Sequence, residues 1–426
     1  MKKEDDLYQN YLQILREELV PAMGCTEPIA IAYCAAKARD VLGAYPDRVK
    51  VEVSGNIIKN VKSVIVPNTD GRKGIETSVA IGIAGGDATK ALEVIANVTE
   101  VAKISMALFL ENNPIEVLPL ESEEQLDIII TEYVGENQYA KVRIAGFHTN
   151  IVQIEKDGEV LYQAGEVVAN NVSLTDRSLL DVAHIFEFAE SVDIKDVHEI
   201  LDRQIDCNMA IAEEGIRNNY GANVGSVLLN AFGNDVRTRA KAMAAAGSDA
   251  RMSGCEMPVV INSGSGNQGM TASIPVIVYA RELGVTQEKL YRALVLSNLN
   301  TIHQKTGIGR MSAYCGAISA GCGAGTGIAY LLGGDYEAVI HTLVNAVAIV
   351  SGIVCDGAKP SCAAKIETAV DAGILGYYMY QEGQEFQGGD GLVSKGVEKT
   401  IQNISRLGKI GMKETDKEII KIMTNC

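Results

Sequence analysis

Two cysteines stand seven residues apart in Cys355-Asp-Gly-Ala-Lys-Pro-Ser-Cys362, and a third, Cys315, lies forty residues upstream in the glycine-rich segment 313–322. The loop between the first pair holds Gly357 and Pro360. It bends, so neither thiol is fixed on a rigid helical face and both can converge on one centre. A third thiol from a separate segment leaves one coordination position open. Three thiolates on a four-iron cluster leave one iron free for a substrate, whereas a structural site fills every position. The competing reading is packing alone, because free cysteine is among the most buried residue types. The spacing fits no common zinc or ferredoxin signature, so from these residues alone both readings stand. Cys322 sits in a run of Gly, Ala and Ser, and Cys34, Cys207 and Cys255 have no cysteine close by. These four read as core thiols.

Cys25 precedes Thr26-Glu27-Pro28, a helix start in which Thr26 can cap and Pro28 can occupy the first turn. Backbone N–H groups at a helix start stabilise an anion, which predicts a lowered Cys25 pKa and a thiolate able to act as a base. Pro67-Asn-Thr-Asp-Gly71 and Gly146-Phe-His-Thr-Asn150 end strands with polar side chains. Asn68, Thr69, His148 and Asn150 could grip the carboxylate and amine of an amino acid. Turn chemistry explains Asn68, Asp70 and Gly71 equally well. Ser263-Gly-Ser-Gly-Asn-Gln-Gly269 exposes backbone N–H groups as anion-binding glycine loops do. It lacks the Lys-Ser/Thr of a P-loop and the dinucleotide spacing. His303 and Lys305 add donors ahead of Cys315, with a solvated helix end as the alternative.

The elements that must position these groups follow from periodicity. Residues 7–43 read as two helices broken around Pro21. Runs at 49–53 and 63–66 around Gly55-Asn56 predict a hairpin. Residues 77–111 return to helix with a break at Gly85-Gly86, and 127–133, 140–145 and 151–160 predict strands. After Ser173 the pattern is helical and Ala-rich. The fold class is therefore α+β: residues 1–168 as an α+β domain with a small mixed sheet, and 169–426 as a mostly helical catalytic domain.

The 426 residues, 47% hydrophobic, suffice for a sizeable core. Lys and Arg number 38 against 54 Asp and Glu, a net charge of −16 with no basic cluster, which excludes nucleic acid as a partner. Apolar runs such as 338–350 are interrupted by His341 and Asn345 and fall short of a membrane span. The charged N-terminus predicts a cytoplasmic protein. In a reducing compartment nine cysteines stay thiols or bind metal, and an odd count argues against a disulfide framework.

Taken together, Gly24-Cys-Thr-Glu-Pro28, Pro67-Asn-Thr, Gly266-Asn-Gln-Gly269, Cys315-Gly and the Cys355 to Cys362 motif resemble the L-cysteine desulfidase family, relatives of the iron–sulfur L-serine dehydratases. The resemblance covers nearly the whole chain. It implies a [4Fe–4S] cluster held by Cys315, Cys355 and Cys362, with Cys25 as base and Thr26, Glu27, Asn68, Thr69, His148, Asn150, Asn267 and Gln268 around an amino-acid substrate. The implied reaction is α,β-elimination of L-cysteine: Cys25 takes the α-proton, the open iron draws off sulfide, and aminoacrylate hydrolyses to pyruvate and ammonia. The serine dehydratases carry a serine- and histidine-rich segment where this chain has Cys25-Thr-Glu-Pro, a departure that favours cysteine. L-serine dehydration is the second reading and a cluster-bearing redox sensor the third. A homo-oligomer is compatible with either enzyme. The terminal Cys426 reads as a frayed end or, by the same resemblance, as a ligand that occupies the open iron.

Overall fold

Alternating apolar residues along 48–54 and 138–145 give strands one buried face, while 127–134 between them buries residues on both faces. The structure, a computed structural model, describes residues 1–122, 124–164 and 174–424. Helix α1 (Asp6–Glu18), strand β1 (Pro21–Met23) and helix α2 (Thr26–Leu42) lead into strand β2 (Arg48–Ser54) and helix α3 (Gly55–Val61). Helices α4 (Gly74–Gly85) and α5 (Glu100–Asn112) precede strands β3 (Ile115–Leu120), β4 (Asp127–Val134), β5 (Gln138–Ala145), β6 (Ile151–Lys156) and β7 (Glu159–Gln163). The sheet order is β3-β2-β4-β5-β6-β7, with β2 and β3 parallel and the other pairs antiparallel. Val51, Val53, Ile128, Ile130, Val142 and Ile144 are wholly buried, and α2 lies across β4 and β5. This is the small mixed sheet that the pattern predicted.

Among the described residues no hairpin forms at Gly55-Asn56. Neither residue takes the positive φ that a tight hairpin turn demands. Strand β2 is taken up by β3 and β4, and the chain after it coils into α3, burying Ile57 and Val61. Residues 63–66 contribute only an isolated bridge, Ile65 to Lys73. Tertiary pairing overrode a local turn signal.

The rest of the chain is mostly helical: α6 (Val182–Ser191), α7 (Ile194–Arg217), α8 (Val224–Phe232) and α9 (Val236–Met252), then strand β8 (Pro258–Val260), α10 (Gly266–Leu283) and α11 (Gln287–Ile308). It continues with α12 (Gly316–Leu331), α13 (Tyr336–Val350), α14 (Cys362–Gln381), α15 (Val397–Arg406) and α16 (Lys413–Thr424). Strand β1 pairs antiparallel with β8, and α1 packs on α6, α7 and α11. The first 23 residues therefore join the helical part. The boundary expected at residue 168 lies outside the described residues. Small residues let α12 sit deep between its neighbours: a Cβ on Gly321 would stand 2.4 Å from the Ala369 backbone. Cys322 on that helix is fully buried, as is Cys34, whose thiol donates to the Val142 carbonyl at 3.4 Å.

One buried group under α2 has a measurable cost. Glu132 on β4 is fully buried, and neither carboxyl oxygen has a hydrogen-bond partner among the described residues. Burial holds its pKa well above the ordinary 4.5. The folded chain then keeps a proton that the unfolded chain releases, so stability falls as pH rises from 4.5 towards the folded value. Glu132→Gln removes this titration. Its melting temperature should exceed that of the unsubstituted protein at neutral pH, by a margin that shrinks towards acid, as thermal unfolding across pH would reveal.

Candidate active site

The two cysteine segments, forty residues apart in sequence, are paired by backbone. Tyr314 and Val354 form an isolated antiparallel bridge, the Cys315 N–H donates to the Ile353 carbonyl at 3.1 Å, and the Cys355 N–H to the Ala313 carbonyl at 2.7 Å. From that bridge the chain turns through Gly357, whose φ is 88° and whose missing Cβ would meet the Lys59 carbonyl oxygen at 2.2 Å. Glycine is required there because α3 rests on the loop. Asp356 fixes the same loop by binding Lys359 and Lys365, and Lys365 also donates to the Val354 carbonyl at 2.8 Å. Cys362 follows as the first residue of α14, its sulfur 3.6 Å from the Gly357 carbonyl oxygen.

Cys315, Cys355, Cys362 and Cys25 all line one cavity of about 100 Å³. Four helices start at its wall: Cys25 is the N-cap of α2, Cys315 the N-cap of α12, Cys362 opens α14, and Asn267 and Gln268 lie in the first turn of α10. Their free N–H groups and positive dipole ends favour anionic sulfur or a carboxylate in the space between. Lys305 also lines the cavity, and its ammonium has no carboxylate partner among the described residues. Burial lowers its pKa to about 8, while the Cys355 and Cys315 thiols act to raise it. Among the described residues no three His, Cys, Asp or Glu side chains are close enough to hold a single metal ion.

Burial pushes the Cys25 thiol up to about 12, with Glu27 and Cys362 adding to the rise and Arg251 opposing it. This corrects the lowered value expected from the helix start. The thiol is 1% exposed, its sulfur 3.8 Å from that of Met252, and loss of solvent outweighs the helix N-terminus. Beside it, burial would raise the Glu27 carboxyl, but the His148 imidazole and the Arg251 charge prevail and lower it to about 2. The His148 Nε2 stands 3.9 Å from Glu27 Oε1 and has no hydrogen-bond partner among the described residues.

The sequence-derived residues divide. Glu27, Asn267 and Gln268 line the cavity with the four thiols, and the Thr26 hydroxyl donates to the Gly264 carbonyl at 2.9 Å, holding the α2 start against the glycine loop. Asn68 instead donates to the Ile95 carbonyl at 2.7 Å, Thr69 to the Val66 carbonyl at 2.7 Å, and Asn150 to the Ala145 carbonyl at 2.9 Å. None of these three lines the cavity; Thr69 and Asn150 tie down their own turns, as the composition of those segments also allowed, and Asn68 ties its turn to the segment at Ile95. His303 turns away to Glu398 at 2.8 Å. Cys426 lies outside the described residues.

Sequence reasoning missed Arg251, Asn56, Lys59 and Asn60. Arg251 ends the Ala-rich α9, donating to the Gly24 carbonyl at 3.0 Å and to Asn267 Oδ1 at 3.2 Å. A buried charge closing a run of alanines was its signal. The α3 residues were hidden by the hairpin reading, which put Asn56 in a turn and gave Lys59 and Asn60 no part in a site, whereas α3 carries all three to the cavity.

Residues 74–421 match the family described as Serine dehydratase alpha chain. The chain is 65% identical to a UPF0597 protein of Desulfitobacterium hafniense, covering 100% of this chain and 99% of that protein. It is 54% identical to a UPF0597 protein of Lachnoclostridium phytofermentans over 98% of this chain and 100% of that one. A Treponema denticola UPF0597 protein is 46% identical, with 99% of each chain covered. The family match includes Cys315, Cys355 and Cys362 and begins after Cys25.

Proposed function

The chain belongs to the serine dehydratase alpha-chain family, and from that premise we propose that it is a [4Fe–4S]-dependent L-cysteine desulfidase, a carbon–sulfur lyase that converts L-cysteine to sulfide, ammonia and pyruvate. The observation that carries the proposal is the meeting of Cys315, Cys355, Cys362 and Cys25 at one cavity ringed by helix starts. The donor set fits a cluster: three thiols from paired backbone segments line one cavity, with the Lys305 ammonium beside them to offset anionic charge. Cys315, Cys355 and Cys362 would hold it. When bound, the cluster would supply a Lewis-acidic iron that eases departure of the substrate sulfur.

The chain's own residues supply the rest. Lys305 and the α10 N-terminus attract the substrate carboxylate. Cys25 first loses its thiol proton to water, and the thiolate then takes the α-proton as the carbon–sulfur bond breaks and the side-chain sulfur leaves as sulfide. Arg251 favours the Cys25 thiolate and, through Asn267, braces the start of α10. The released aminoacrylate becomes an imine that water hydrolyses to pyruvate and ammonia. Burial of Cys25 keeps bulk water from the proton it holds.

L-serine dehydration is the second reading, favoured by the description of the matching family. Anaerobically reconstituted protein should release sulfide from L-cysteine with a higher kcat/KM than it releases pyruvate from L-serine. The reverse order would assign dehydration, and no turnover of either would remove the lyase proposal.

A further inference from the structure

Three residues lining the cavity carry buried acceptor oxygens with no donor among the described residues: Asn56 Oδ1, Asn60 Oδ1 and Gln268 Oε1. An unpaired buried carbonyl is costly, so a cluster of them at one cavity points to a ligand that brings donors. Asn56 and Asn60 lie four residues apart on one face of α3. The Asn60 amide is oriented by its own network, because its Nδ2 donates to Glu27 Oε1 at 3.0 Å and its oxygen is left for another donor. Glu27 lines the same cavity and adds a negative charge. Lys59, between the two asparagines, does not repel a cation there, since its ammonium is bound to Asp416 at 2.5 Å.

We infer that the α3 face carrying Asn56 and Asn60, with Glu27 beside it, is a subsite for the α-ammonium group of an amino-acid substrate and selects amino acids over acids that lack the amine. A primary ammonium brings three N–H donors and one positive charge, which matches amide oxygens grouped around one carboxylate. The subsite complements Lys305, which meets the carboxylate common to both kinds of acid. The inference rests on the amino-acid reading of the cavity but not on the elimination step. It assigns a task to a helix that has no catalytic group.

The test is calorimetric binding to the reconstituted full-length protein, with L-alanine as an amino acid that has no leaving group and propionate as the same acid without its amine. The unsubstituted protein should bind L-alanine more tightly than propionate. Asn56→Leu and Asn60→Leu should each weaken L-alanine roughly 10- to 100-fold, the range expected for hydrogen bonds to a charged group, with propionate affinity unchanged. Asn60→Thr, smaller and easier to accommodate, should do the same if the leucine variants do not fold. Equal binding of the two acids by the unsubstituted protein, or a parallel loss of both in the variants, overturns the subsite. Selective L-alanine binding by a protein that turns over neither cysteine nor serine would leave the subsite standing and remove the lyase proposal instead.

Discussion

Cys315→Ala, Cys355→Ala and Cys362→Ala should each yield anaerobically purified protein with almost no iron and no brown absorbance, while Cys34→Ala keeps both. Each of the three thiols lines the cavity, and under the proposed assignment deleting one removes one of only three protein anchors. The loss is close to complete because the remaining two ligands come from a bridge and a loop that already depend on each other. The Cys355 N–H is bound to the Ala313 carbonyl in the segment before Cys315, and the Cys362 sulfur rests on the Gly357 carbonyl. Cys34 is the proper control. It is more deeply buried than the three and donates to the Val142 carbonyl on the sheet, away from the cavity. Full iron content in any of the three cavity variants would show the ligand assignment to be mistaken.

Cys25→Ser should keep the cluster and lose turnover by roughly 10²- to 10⁴-fold, the usual contribution of a positioned proton acceptor. A serine hydroxyl stays protonated where a thiol can still ionise. The direction of the Cys25 shift adds a second reading of the same experiment. Because burial pushes that thiol up to about 12, the thiolate is the minor form at neutral pH, and its fraction grows about tenfold per pH unit below that value. With L-serine, whose side chain does not titrate, kcat/KM of the unsubstituted protein should therefore rise from about pH 6 to about pH 8.5 rather than plateau near neutrality. The residual rate of Cys25→Ser should lack this rise. Undiminished exchange of the substrate α-proton with solvent in Cys25→Ser would take the residue out of the reaction.

The spacing of Cys315, Cys355 and Cys362 left packing and a shared centre both open, and only the family resemblance singled out these three, whereas the helix start after Cys25 carried a local signal. The mixed sheet was legible from the β-type runs at 49–53, 127–133 and 140–145. The position of α3 was not, because Gly55-Asn56 carries the same local signal whether the next segment returns as a strand or coils, and only the claims of β3 and β4 on β2 decide between them. Asn68, Thr69 and Asn150 show a related ambiguity: a polar side chain at a strand end serves a turn or a ligand equally well in sequence, and here all three donate to backbone carbonyls away from the cavity. The direction of the Cys25 shift depended on burial depth, which a helix-start motif does not report.

The central claim is that three cavity thiols hold a four-iron cluster whose remaining iron faces the substrate. Mössbauer spectroscopy of protein reconstituted with iron-57, before and after addition of L-cysteine, tests it most directly. The expected spectrum is that of a [4Fe–4S] cluster in which about one iron in four changes its signal when the amino acid is added. A spectrum without cluster iron, or a cluster whose irons all remain unchanged by L-cysteine, would contradict it.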